Sequence, residues 1–146
     1  MSIQPDFEEF LRLLETRQVD YVIVGGYAVA FHGFPRFTKD IDIFFDISEP
    51  NIERLCQVLV DFGFRKETIS REALGTPGNV FAIGIEPVRI DLVNRIDGVS
   101  FGEARANAVR GKYGSVGVNF IGLQDLIRNK SSTPRAKDKA DVEELT

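Results

Sequence analysis

Three aspartates, with the glycines and cations around them, are the residues of this sequence whose types and spacing suit chemistry. In Asp40–Ile41–Asp42–Ile43 the acids stand two residues apart. On a strand, residues i and i+2 share a face. Both carboxylates then point one way and both isoleucines the other, so the isoleucines can bury while the aspartates line a site. Two carboxylates held a few ångström apart repel each other, and a cation relieves the repulsion. Oxygen-only ligands suit Mg²⁺ or Mn²⁺ rather than zinc. A bare Asp-x-Asp is more often a solvated strand face, and that reading competes with the metal site until the neighbours are weighed.

Three neighbours favour the site. Gly25–Gly26 follows an apolar run and precedes a helical one, a turn whose backbone N–H groups can cradle a phosphate or merely link strand to helix. Arg36, Thr38 and Lys39 come just before the pair; they suit a phosphate-bearing ligand, or else balance local charge. Asp91 lies within VRIDLV (88–93), where Val88, Ile90 and Leu92 form one face and Arg89, Asp91 and Val93 the other. An acid inside an otherwise apolar strand needs a partner or a metal; Arg89 or Arg95 could be that partner.

Positioning these groups takes several elements. Phe7, Phe10, Leu11 and Leu14 predict a helix over 6–17. YVIV (21–24) reads as a strand buried on both faces, and YAVAFHG (27–33) as a short helix. DIDIFFDI (40–47) is a second strand. Residues 49–62 form a helix with Ile52, Leu55, Cys56, Leu59 and Phe62 on one face and Gly63 as its stop. Residues 70–78 read as a loop, 79–85 and 88–93 as a strand hairpin turning at Glu86–Pro87. A short helix over 101–109, a turn at 111–115 and a strand at 116–120 follow. Helices over 122–131 and 135–145 close the chain, parted by Thr133–Pro134. The expected fold is α/β (α+β): a single domain spanning residues 1–146, with a mixed sheet of about five strands flanked by helices. Because the last helix runs to the C-terminus, the chain is also readable as a domain of something longer.

With these residues in view, the chain resembles the DNA polymerase β-like nucleotidyltransferase superfamily. Its pattern is Gly-Gly or Gly-Ser after the first strand, Asp-x-Asp on the next and a third Asp on a later strand: here Gly25–Gly26, Asp40/Asp42 and Asp91. The run VGGYAVAFHGFPRFTKDIDIFF and the C-terminal LQDLIRNKSSTPRAKDKADVEEL are similar to its small bacterial branch, which includes minimal nucleotidyltransferases and toxins of abortive-infection and toxin–antitoxin systems. The resemblance implies the nucleotidyltransferase fold and Mg²⁺-dependent transfer of a nucleoside monophosphate from an NTP to an acceptor hydroxyl, with release of pyrophosphate. Asp40 and Asp42 would hold the metals, and Asp91 would complete one site near the acceptor. Gly25 and Gly26 would contact the phosphates; Gly26 stands where many relatives carry serine. Lys130 matches a family lysine. It also falls on the core-facing stripe of its helix, with Leu126 and Ile127, where an ammonium must snorkel or meet an anion. If it pairs with the triphosphate, its replacement should weaken nucleotide binding and barely change stability.

Composition bounds the rest. The 146 residues carry a net charge of −4, with 43% hydrophobic and 27% charged residues, twelve Phe and no Trp. This argues against a surface that grips nucleic acid throughout, although Arg128, Lys130, Arg135, Lys137 and Lys139 cluster within residues 128–139. The acceptor is thus left open among tRNA, a protein hydroxyl and a small molecule such as a cationic antibiotic. The competing function is a non-catalytic nucleotide- or partner-binding module, for example one half of a toxin–antitoxin pair with a cognate antitoxin as partner. Cys56 is the single cysteine, so no intrachain disulfide forms, and its helical position predicts a core residue. No apolar run reaches the roughly 18 residues of a membrane span, and the acidic N-terminus lacks a signal region. A cytoplasmic protein is expected. His32 reads as a surface or capping residue, or as a contact to the triphosphate.

Overall fold

The computed structural model describes residues 3–34, 38–85 and 88–146. The apolar spacing near the N-terminus forms α1 (Pro5–Thr16), which buries Phe7, Phe10, Leu11 and Leu14. Pro5 sits in its first turn, where a missing N–H leaves no bond unmade. β1 (Tyr21–Val24) is buried at every position. α2 (Gly25–Phe31) begins directly at the glycine pair, two residues earlier than its apolar residues alone suggest. β2 (Asp40–Phe45) alternates at its start, with Asp40 and Asp42 half-buried and Ile41 and Ile43 buried.

α3 (Glu49–Phe62) stops at Gly63, whose φ of 123° closes the helix as no other residue readily would. Cys56 is buried within it, as its stripe position predicts. α4 (Arg71–Gly75) occupies part of the segment read as a loop. Five residues are too few to show a helical period; the Ser70 hydroxyl, accepting from the Ala73 N–H at 3.0 Å, caps it instead. β3 (Val80–Ile85) and β4 (Val88–Val93) pair antiparallel; their connection at Glu86–Pro87 lies outside the described residues. α5 (Phe101–Ala106) opens with a capping box between Ser100 and Glu103. β5 (Val109–Tyr113) and β6 (Val116–Phe120) form a second hairpin. α6 (Leu123–Ser131) and α7 (Ala136–Leu145) complete the chain.

The sheet has six strands in the order β3-β4-β2-β1-β6-β5, one more than expected. The extra strand is β5, VRGKY. As an edge strand it is largely exposed, so it lacks the alternation that marks a half-buried strand. Gly111 is needed there, because a Cβ would run into the Phe31 ring, which stacks on Phe120 at 4.0 Å.

The sheet is mixed: β1 runs antiparallel to β2 and parallel to β6, while β2 and β4 are parallel. One end therefore gathers the C-terminal end of β1 with the N-terminal ends of β2 and β4. α1 and α3 meet through Phe10 and Phe62, edge to face at 5.1 Å. Asn51, buried in the first turn of α3, donates to the carbonyls of Asp20 and Asp46 and accepts from the Asp20 N–H. These bonds lock α3 to the far ends of β1 and β2. Among the described residues, no helix is long and apolar enough to cross a membrane.

Candidate active site

Parallel pairing of β2 with β4 sets Asp40 beside Arg89 and Asp42 beside Asp91. Two strands thus present a four-cornered patch of three acids and one arginine at the end of the sheet where β1 gives way to Gly25. Residues two apart share a face, and the opposite face of the same strands buries Ile41, Ile43, Ile90 and Leu92. The core contacts of those apolar residues fix the register, because a slip by one residue would turn the acids inward.

Gly25 forms the wall above Asp42. Its φ is 70°, in the left-handed region, and a Cβ built there would overlap Asp42 Oδ2. Glycine is required on both counts. The patch lies in a cleft of about 620 Å³, lined also by Gly26, Thr38, Lys39, Arg95 and Lys130, a size suited to a small-molecule or nucleotide ligand. Thr38 is turned back to its own loop, its hydroxyl donating to the Asp40 carbonyl at 3.2 Å. Arg36 lies outside the described residues. His32 does not line the cleft; it stands at the C-cap of α2, and its Nε2 donates to the Ile121 carbonyl at 2.8 Å.

Burial, and then the neighbouring charges of Asp91 and Asp40, push the Asp42 carboxyl up to about 6. Arg89 bridges the other two acids. Its Nε donates to Asp91 Oδ1 at 2.9 Å and its Nη2 to Asp91 Oδ2 at 3.1 Å and to Asp40 Oδ2 at 2.9 Å. Asp91 therefore has the arginine partner that a strand acid needs, and that arginine reaches Asp40 as well.

Among the described residues, no three Asp, Glu, His or Cys side chains are grouped closely enough as they stand to hold an ion. Among the described residues, Arg89 is ion-paired with two of these carboxylates, and the charge of Lys130 also acts on Asp42. The donor chemistry nevertheless fits a hard divalent ion. Three carboxylates against one guanidinium leave two negative charges when all are ionised, and every available ligand atom is oxygen.

Lys130 does face inward, and it meets anions of this chain. Its Nζ lies 2.9 Å from Asp138 Oδ1 and 3.0 Å from Asp141 Oδ2, with all three side chains buried. The Asp138 carboxyl also accepts from the Thr133 hydroxyl at 2.6 Å. Burial pushes Asp138 up, but the Thr133 and Lys130 bonds outweigh it and hold it below the usual range. The expectation that Lys130 is idle for stability is therefore corrected: it is the counter-ion of two buried acids. From sequence, KDKADVEEL reads as a solvated helix or as a stretch whose Lys137 and Asp138 close the site over the nucleotide; the pairing of Asp138 and Asp141 with Lys130 is in neither reading. The signal was their i, i+3 spacing, which puts both on the face turned to Lys130.

Of the five cations of residues 128–139, three face acids of the chain, while Lys137 and Lys139 are exposed. Arg128 pairs with Glu103 at 2.8 Å and Asp125 at 3.2 Å, Lys130 is buried, and Arg135 lies 3.8 Å from Asp138.

A mixed sheet flanked by helices, with Gly-Gly ending one strand, Asp-x-Asp opening the next and a third Asp in register beside it, defines a nucleotidyltransferase. Residues 4–146 match the family described as nucleotidyl transferase of unknown function (DUF2204), and the chain belongs to that family. Among curated proteins, none matches its sequence significantly. Solved structures share the fold. The chain is similar to the lincosamide antibiotic adenylyltransferase LnuA with lincomycin bound, at 17% identity and a TM-score of 0.56, over 99% of this chain and 98% of that one. It is similar to a Thermotoga maritima protein assigned as a nucleotidyltransferase, at 13% identity and a TM-score of 0.65, over 98% and 94%. It is also similar to the antibiotic-resistance factor ANT(2'')-Ia, at 17% identity and a TM-score of 0.58, over 96% and 80%; that protein is also known in complex with adenylyl-2''-tobramycin.

Proposed function

We propose that this nucleotidyltransferase moves a nucleoside monophosphate from an NTP to a hydroxyl of a small molecule, using Mg²⁺ or Mn²⁺ held by Asp40, Asp42 and Asp91. The observation that carries the reading is the register of Asp42 with Asp91 beside Asp40, under the Gly25 wall. A divalent ion bound there would neutralise the triphosphate and stabilise charge at the reacting oxygens. The acceptor oxygen bonds to the α-phosphorus, the bond to the bridging oxygen of the β-phosphate breaks, and pyrophosphate leaves. Asp91 takes the hydroxyl proton once one of its oxygens is released by Arg89. Gly25 and Gly26 offer backbone N–H groups to the phosphates, and Lys39 offers a charge. Arg36 is proposed for the same phosphate grip, as is Thr38 once its hydroxyl is released from the Asp40 carbonyl.

A small acceptor is favoured over RNA because the net charge is −4 and three of the five cations of residues 128–139, Arg128, Lys130 and Arg135, face acids of the chain. Two proteins of the same fold are described as antibiotic adenylyltransferases or resistance factors, which points to hydroxylated, amine-bearing molecules. The test is transfer of label from each α-labelled NTP, with and without Mg²⁺, to panels of lincosamides and aminoglycosides and to total tRNA. Mg²⁺-dependent labelling of a small molecule is expected. Labelling of tRNA alone would overturn the acceptor class, and no labelling with any acceptor would overturn the transferase reading. Arg89 supports one other reading: if it never leaves Asp91, the chain binds nucleotide or a partner without transfer, as a toxin–antitoxin component would.

A further inference from the structure

We propose that Arg89 is a resident counter-ion which a divalent cation must displace from Asp91 and Asp40, so that ion binding and repositioning of this guanidinium are a single event. The inference rests on the reading of Asp40, Asp42 and Asp91 as the ion site. Both oxygens of Asp91 are taken by one arginine, at 2.9 and 3.1 Å, and the same guanidinium reaches Asp40 at 2.9 Å. A two-pronged arginine–carboxylate pair is the strong form of this bond. The partners are only part exposed, 33% for Arg89 and 13% for Asp91, so salt screens them weakly. Arginine does not yield by losing its proton. It has to move, and it stands in a cleft where a triphosphate would supply phosphate oxygens for its planar fork. In this chain Arg89 is a positioning residue: it keeps the acids together without an ion, and it turns to the nucleotide when an ion arrives.

Two measurements test this. The first is Mn²⁺ binding without nucleotide, by electron paramagnetic resonance, to the parent, Arg89→Gln and Arg89→Lys. Removing the competing charge should tighten Mn²⁺ binding roughly tenfold in Arg89→Gln, within the usual range of coupling between sites. Arg89→Lys, which keeps the charge and loses the fork, should fall between. The second needs no variant fold: the ¹⁵Nε signal of Arg89 in the parent, assigned by its loss in Arg89→Lys, followed through a Mg²⁺ titration. It should shift along the binding curve. Equal or weaker Mn²⁺ binding by Arg89→Gln, or an Nε signal unmoved at saturating Mg²⁺, overturns the proposal. Label transfer is scored separately: an active parent with an unmoved Arg89 sinks this inference and the proton-accepting role of Asp91 but leaves the transferase reading standing, and an inactive parent with a displaced Arg89 sinks only the transferase reading.

Discussion

Asp42 is the residue on which stability and chemistry pull in opposite directions. Its carboxyl titrates near 6 in the folded chain against 3.8 ordinarily, because burial and then Asp91 and Asp40 disfavour its charge. Between about pH 4 and pH 6 the folded chain therefore binds more protons at Asp42 than the unfolded chain does. Stability falls as pH rises through that window and levels off above it. In chelator-containing buffer, Asp42→Asn should flatten this fall and melt at or above the parent temperature at pH 7, read by circular dichroism across pH. The same variant should lose transfer by about 10²–10³-fold or more, by comparison with removal of one preorganised electrostatic group. Near-parental turnover would remove Asp42 from the mechanism. The Asp-x-Asp spacing made this residue visible in the sequence. The bridge from Arg89 to Asp40 was not visible, because it depends on how far β4 slides along β2.

At the scale of elements, α6 and α7 are joined by a buried charge cluster. One ammonium serves two carboxylates, with Asp141 among the most buried side chains. Removing one partner of a buried ion pair strands the others and costs about 3–5 kcal/mol. Lys130→Met should therefore lower stability by about that amount in urea unfolding. Replacing Asp138 and Asp141 with Asn in the same chain should recover much of it. Unchanged urea midpoints in Lys130→Met would show that the cluster contributes nothing to folding. The helices themselves were legible from apolar spacing, Gly63 and the Thr133–Pro134 break. Their docking was not, since KDKADVEEL carries few apolar residues and two of its three buried residues are acids.

The whole chain should behave as a receptor for nucleotide with metal. A ligand that binds only the folded state at a hundred times its Kd adds about 2.7 kcal/mol. For a domain this size that raises the melting temperature by about 5–10 °C. ATP or another NTP with millimolar Mg²⁺ should give such a shift in a thermal scan, and chelator should largely abolish it. No shift with any NTP at saturating metal would tell against the cleft as a nucleotide site.

The residue types and short spacings written in the chain were enough to establish several things. They identified the strands that hold Asp40, Asp42 and Asp91, the glycine turn beside them, and the nucleotidyltransferase pattern they make. The strands and the turn are local facts, dictated by the two-residue period of a strand and the 3.6-residue period of a helix, and the pattern was read by its resemblance to a known family. The tertiary structure decided what lies between distant segments. It set Asp42 level with Asp91, turned Arg89 onto two acids and closed Lys130 against Asp138 and Asp141. It also added β5 as an edge strand with no pattern of its own. Each of these depends on register and packing across tens of residues, where hydrogen bonding and the burial of apolar faces choose one alignment and the charges on the other face take the partners that alignment leaves them.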